Sequence, residues 1–152
     1  MRYVVFPMEE HAMISIEELE KENQEIIHLG SILSTLVDKP ELRSNPVFCE
    51  LLHRFMEKIN AHLTHEARSV YSDLLSHKDL QINNAASKFI SNAHELEKIL
   101  NGYTRRWCVP IPAVEKHSEF IQETNTIFRL LNERITMESD HLFPIIRNSQ
   151  AH

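Results

Sequence analysis

Glycine is almost missing: there are 2 in 152 residues. A loop that cradles phosphate needs several glycines close together, so nucleotide-binding loops of that kind are excluded. No G-x-S-x-G nucleophile elbow is present either. Cysteine is as scarce. Cys49 and Cys108 form neither a disulfide framework nor a C-x-x-C pair, and no Cys–His pairing suggests a thiol nucleophile. Basic charge is not in excess: 16 Lys and Arg face 22 Asp and Glu, for a net charge of −6. The basic footprint of a nucleic-acid binder is therefore lacking. Long hydrophobic runs are lacking too. The apolar stretch in MRYVVFPMEEHA is interrupted by Pro7 and is too short for a signal-peptide core or a membrane span. These absences lead to the expectation of a cytoplasmic protein, not an enzyme, that uses neither nucleic acid nor membrane.

Strand alternation is the last absence, and it turns attention to what is there. With only 6 prolines, the chain holds long stretches rich in Glu, Lys, Leu, Ile and Ala, which favour helix. Ser15 and Glu18 form an S-x-x-E capping box, with Ile14 and Leu19 placed for a hydrophobic staple. This first helix should run to Val37, along a stripe of Leu19, Ile26, Ile27, Leu33 and Val37. Asn45-Pro46 opens a second, with Asn as cap and Pro at the first helical position. Its face runs Phe48, Leu52, Phe55, Ile59, His62, Glu66 and Val70, to about Leu75. A third helix is expected after Asn83-Asn84, ending at Trp107 before Cys108-Val109-Pro110-Ile111-Pro112. A fourth starts near Val114 or Ser118, with Phe120, Thr124, Ile127, Leu131, Arg134, Glu138 and Leu142 on one face. Four amphipathic helices with short connections predict an all-α fold, an antiparallel four-helix bundle. The division is a segment over 1–14, the bundle over 15–148 and a tail over 149–152.

Polar residues interrupt the apolar stripes. HLTHEARSVYS (62–72) set over RITMESDHLFP (134–144) puts Glu66 on Glu138, Val70 on Leu142 and Tyr71 on Phe143, with His62 on Arg134. A looser echo sets Asn23 over His94. The inner polar set is thus Asn23, His62, Glu66, His94, Arg134 and Glu138. A buried carboxylate without a partner costs several kcal/mol, so these groups need cations or donors. Two arrangements answer that need. In one, imidazole and carboxylate from facing helices hold a metal ion. In the other, Arg134 lies between Glu66 and Glu138 and no metal is needed.

The ordered motifs resemble the hemerythrin-like (HHE cation-binding) family. Its pattern is a His on the first helix, H-x-x-x-E on the second, a His on the third and H-x-x-x-E on the fourth, often with L-F-P after it. Here the second helix has His62-Leu-Thr-His-Glu66 and the third has His94 in NAHELEKIL. The fourth has Arg134-Ile-Thr-Met-Glu138, then Leu142-Phe143-Pro144. The resemblance covers roughly residues 15–148. It implies a four-helix bundle with non-haem iron, or another divalent cation, in its core. A sensing or regulatory role follows, with oxygen or nitric oxide as the small ligand if iron is bound, and a protein partner for a regulatory module.

Two positions depart from the pattern. Asn23 stands where the family has its first-helix His, and Arg134 where it has the fourth-helix His. Asn offers a carbonyl oxygen, whereas a guanidinium has no lone pair to give. The metal candidates are therefore His62, Glu66, His94, Glu138 and Asn23, enough for one divalent ion, with Arg134 replacing a ligand. The alternative is a metal-free binding or regulatory bundle. His65 and His141 offer a rearranged site but are turned off the main stripe. His28 lies about 140° around the helix from Asn23. His11, His53, His77, His117 and His152 belong to no constellation and are expected to face solvent.

Overall fold

The computed structural model describes residues 15–43, 45–107 and 116–150. Helix α1 spans Ile16–Leu36, and a short α2 spans Pro40–Arg43. Then come α3 (Pro46–Glu66), a π-helical turn (Ala67–Tyr71) and α4 (Ser72–Leu75), which together make one long rod. Helix α5 covers Leu80–Trp107. Helix α6 (His117–Met137) continues through a second π-helical turn (Glu138–Leu142) into α7 (Phe143–Gln150). No strand occurs among the described residues.

The helix starts follow local chemistry. Ser15 Oγ accepts from the Glu18 N–H at 3.1 Å, and the Glu18 carboxylate accepts from the Ser15 N–H at 3.1 Å, closing the capping box. Asn45 Oδ1 accepts from the Val47 N–H at 2.8 Å, with Pro46 at the first position. The third long helix begins earlier than the Asn83-Asn84 signal suggested. The Asp79 carboxylate takes the Gln81 N–H at 2.9 Å, so Asp79 supplies the start signal. Asn83 is spent otherwise, donating its side-chain amide to the Leu75 carbonyl across the turn. The fourth long helix opens at His117, beside Ser118. The Ile14 staple, the proline break at 110 and 112, Val114 and Cys108 lie outside the described residues.

The four rods close into a bundle: α1 packs on α3, α3 on α5, α5 on α6, and α6 back on α1. Its interior has two apolar zones. One gathers Ile26, Leu33, Leu52, Phe55, Ile59, Leu100 and Leu131 with an aromatic knot around Phe120. In that knot Trp107 meets Phe120 edge-on at 5.4 Å and Phe48 meets it at 6.0 Å. The other gathers Leu19, Val70, Tyr71, Leu74, Phe89, Leu142 and Phe143. Along three of the rods the sequence passes from one zone to the other through buried polar residues: Asn23 on α1, His62 and Glu66 on α3, and Arg134 on α6 with Glu138 at the start of the π turn that follows.

Both π-helical turns lie at a buried glutamate: one begins directly after Glu66 and the other at Glu138 itself. An α-helix advances about 100° per residue, so a residue five places on would be turned well away. A π turn, bonded from i to i+5, brings it back. Tyr71 and Phe143 are accordingly 4% and 0% exposed. The alignment of 62–72 with 134–144 thus describes two similar local structures, each with a π turn, the two turns one residue out of step.

Candidate metal centre

The polar residues between the two apolar zones form one cluster, almost sealed from solvent. Glu66 and Glu138 are 0% exposed, Asn23 1%, His62 2% and Arg134 3%. Each carboxylate divides its oxygens between two sides. On one side, Arg134 Nη2 donates to Glu66 Oε1 at 2.8 Å and Nε donates to Glu138 Oε2 at 2.7 Å. On the other side, His62 Nε2 lies 2.9 Å from Glu138 Oε1 and 3.3 Å from Glu66 Oε2. Asn23 Nδ2 donates to the same Glu138 Oε1 at 2.9 Å.

Arg134 is fully engaged. Its Nη1 donates to the Phe89 carbonyl at 2.8 Å and to Asn92 Oδ1 at 3.0 Å, and its Nη2 also reaches the Tyr71 hydroxyl at 2.5 Å. The guanidinium carbon lies 5.1 Å from the Phe89 ring centre, a cation–π distance. The His62 side is less complete. Glu66 Oε2 and Asn23 Oδ1 are buried and accept no hydrogen bond. The N–H on His62 Nε2 is already directed to Glu138, so its 3.3 Å approach does not satisfy Glu66. His62 Nε2, a Glu66 oxygen and a Glu138 oxygen lie within 4.8 Å of one another, close enough to share one ion.

Behind His62 stands a residue that the sequence did not single out. Glu22 Oε1 lies 2.8 Å from His62 Nδ1, and its Oε2 lies 2.5 Å from His65 Nδ1. Glu22 and His65 are partly exposed, so this pair leads from the surface to the buried imidazole. A carboxylate on the far nitrogen fixes the ring and raises the basicity of the near one, as in metal-bound histidines generally. The signal was present: Glu22 precedes Asn23 on the first helix, and His65 precedes Glu66 on the second.

The expectation for His94 needs correction. It is exposed and lies in an outer groove beside Thr64, Arg68 and Glu97. Ala93, Leu96 and Leu100 define the inner face of α5, and His94 lies about 100° around from Ala93. The α5 residues that meet the cluster are Phe89 and Asn92, and both touch Arg134. Tyr71 was aligned but not recognised as part of the site. Its hydroxyl lies 3.3 Å from Glu66 Oε1, five residues away, a contact that the π turn creates. His28, His53 and His141 are exposed. Contrary to expectation, His77 and His117 are half-buried: His77 Nδ1 accepts the Asp79 N–H at 3.0 Å, and His117 stacks on Phe120 at 6.2 Å. His11 and His152 lie outside the described residues.

The proximity of these charges shifts their protonation. Burial alone would lower His62, but its bonds to Glu138 and Glu22 and the nearby Glu66 charge outweigh that and hold it at about 11. Without a cation, then, His62 is an imidazolium paired on both nitrogens. Burial pushes Glu66 up to about 7, and the neighbouring Glu138 charge adds to the rise. Burial would raise Glu138 as well, but hydrogen bonds from His62 and Glu66 and the charges of His62 and Arg134 hold it at about 2. Glu22 is lowered because its bonds to His62 and His65 overcome its desolvation. Burial and the Glu66 charge push the Tyr71 hydroxyl up, so it remains a neutral donor.

Chemically, the cluster has two sides around one pair of carboxylates. The His62 side offers one imidazole nitrogen, two carboxylate oxygens and, with the amide turned, the Asn23 carbonyl. The other side holds a guanidinium that bridges the same two carboxylates, above the carbon ring of Phe89. The atoms on the His62 side have the spacing of a metal site, and the other side is filled by Arg134. The chain matches the family model of the Hemerythrin HHE cation binding domain over residues 14–146, and it belongs to that family. The comparison with curated proteins finds no match, and neither does the comparison with solved structures. No helix among the described residues is long and apolar enough to cross a membrane.

Proposed function

We propose that this hemerythrin-like domain binds a single divalent cation through His62, Glu66, Glu138 and Asn23, with Arg134 permanently in the place of a second. The observation that carries this reading is Glu66 Oε2, which accepts no hydrogen bond and is buried beside two ligand atoms. A buried acceptor left unmade costs about 1–3 kcal/mol, and a cation would satisfy it. Iron is the cation the family suggests, and zinc or manganese would suit the same nitrogen and oxygen donors. The role that follows is sensing or regulation in the cytoplasm, not catalysis, with oxygen or nitric oxide as the small ligand when iron is bound and a protein partner to receive the signal.

A second reading is favoured by the completeness of the charge pairing around Arg134 and His62. In it, an imidazolium and a guanidinium stand in for two metal ions, a proton on Glu66 satisfies Oε2, and the domain is a metal-free binding or regulatory module. Titration with zinc separates the two. The first reading expects one tight equivalent, lost in His62→Ala and in Glu138→Gln but kept in His94→Ala. Zinc binding that depends on His94 and not on His62 would overturn it. No binding by a folded protein would favour the second.

A further inference from the structure

We infer that Arg134 makes the centre selective for divalent over trivalent cations, so that bound iron is kept ferrous. This rests on the proposed cation site and concerns its regulation. The charges around the cluster are few and can be counted by sign. Glu22, Glu66 and Glu138 are the carboxylates that touch its members, and Arg134 is the guanidinium. With His62 neutral as a ligand, the buried Glu66, Glu138 and Arg134 leave one negative charge uncompensated, and the partly exposed Glu22 adds a second that it shares with His65. A divalent cation stays close to balance with them, whereas a trivalent one leaves excess positive charge beside Glu66, Glu138 and Arg134, which are 0–3% exposed. Burying an unpaired charge is strongly unfavourable.

The geometry adds a second penalty. Arg134 Nε and Nη2 bond the same two carboxylates that would ligate the cation, at 2.7 and 2.8 Å. Those carboxylates therefore give electron density to two cationic partners at once. The guanidinium cannot respond by losing its proton, because arginine stays charged in proteins. Nor can it swing away without abandoning Phe89, Asn92 and Tyr71. One extra unit of cation charge a few ångströms from a guanidinium, at an effective dielectric of about 20, corresponds to about a hundredfold in affinity.

The test compares Zn2+ with Ga3+, supplied as its citrate complex, by competitive titration of the full chain and of Arg134 variants. Arg134→Gln should shift the Ga3+ to Zn2+ affinity ratio at least tenfold towards Ga3+. Arg134→Lys keeps the charge and should keep the wild-type ratio. If Arg134→Gln does not fold, Glu22→Gln removes a negative charge and should move the ratio the opposite way. With iron loaded, the wild-type midpoint potential should exceed that of Arg134→Gln by about 59 mV for each tenfold change. An unchanged ratio in a folded Arg134→Gln, or in Glu22→Gln where that variant is used, overturns the selectivity and leaves the cation site standing. Failure of every protein to bind Zn2+ or Ga3+ overturns the cation site itself, and the selectivity with it.

Discussion

Replacing Arg134 with Met keeps much of its length and removes its charge and donors. The variant leaves Glu66 and Glu138, both 0% exposed, without the partner that each meets at 2.7–2.8 Å. It also frees the Phe89 carbonyl and Asn92 Oδ1 from their bonds to Nη1. Removing one member of a buried ion pair typically costs about 3–5 kcal/mol, because the other charge stays buried. For a chain of this length each kcal/mol lowers the midpoint by about 2–4 °C, so the melting temperature should fall by roughly 6–20 °C. Thermal unfolding followed by circular dichroism in EDTA measures this. Arg134→Met combined with Glu66→Gln should be more stable than the sum of the single losses, by about 0.5–3 kcal/mol of coupling. A fall of less than about 2 °C, or strict additivity in the double variant, would refute the claim that Arg134 neutralises both carboxylates.

Other consequences are open to direct measurement. Glu22→Gln weakens the support behind His62 and should cut zinc affinity by about 10- to 100-fold at neutral pH with little loss of fold; unchanged affinity would remove Glu22 from the account. Tyr71→Phe leaves the ring in the core but takes its hydroxyl from Arg134 and Glu66, and should cost about 1–2 kcal/mol in urea unfolding. The cation-free protein should also lose stability with rising pH. His62 is raised from 6.5 to about 11 and Glu66 from 4.5 to about 7, so both hold extra protons when folded. The His62 contribution is full below about pH 6.5 and lost towards pH 11, the Glu66 contribution is lost between about 4.5 and 7, and that of Glu138 is lost only as pH falls from 4.5 towards 2. Melting in EDTA should therefore be lower at pH 9 than at pH 5, with a shallower drop in His62→Gln; an equal drop in both would assign the effect elsewhere.

The fold was legible because its signals are local. The Ser15–Glu18 box, Asn45-Pro46 and the apolar stripes each act within a few residues, and the bundle follows from their spacing. Asp79 was missed as a helix start because Asn83-Asn84 offered the same chemistry a turn later. The site was legible in part for the same reason. His62 and Glu66, and Arg134 and Glu138, lie one α-helical turn apart, so period alone puts them together on inner faces. Glu22 and Tyr71 escaped because neither lies on a regular stripe. Tyr71 enters only through a π turn, which shifts the helical phase, and Glu22 reaches inward from the edge of α1. His94 was misplaced because the motif order suggested a histidine on α5, while the helical phase set by Ala93, Leu96 and Leu100 turns that position outward.

The central claim is that one cation and one guanidinium share the two buried carboxylates. Its most direct test is the metal content of the protein purified without chelator from iron-supplemented culture, by elemental analysis alongside native mass spectrometry. The account predicts one equivalent of divalent metal per chain, falling to none in Glu66→Gln/Glu138→Gln. Two equivalents would contradict it, because no place for a second ion exists while Arg134 bridges Glu66 and Glu138. A folded protein with no metal would contradict it in the other direction, leaving the imidazolium of His62 and the guanidinium of Arg134 as the buried cations of the cluster.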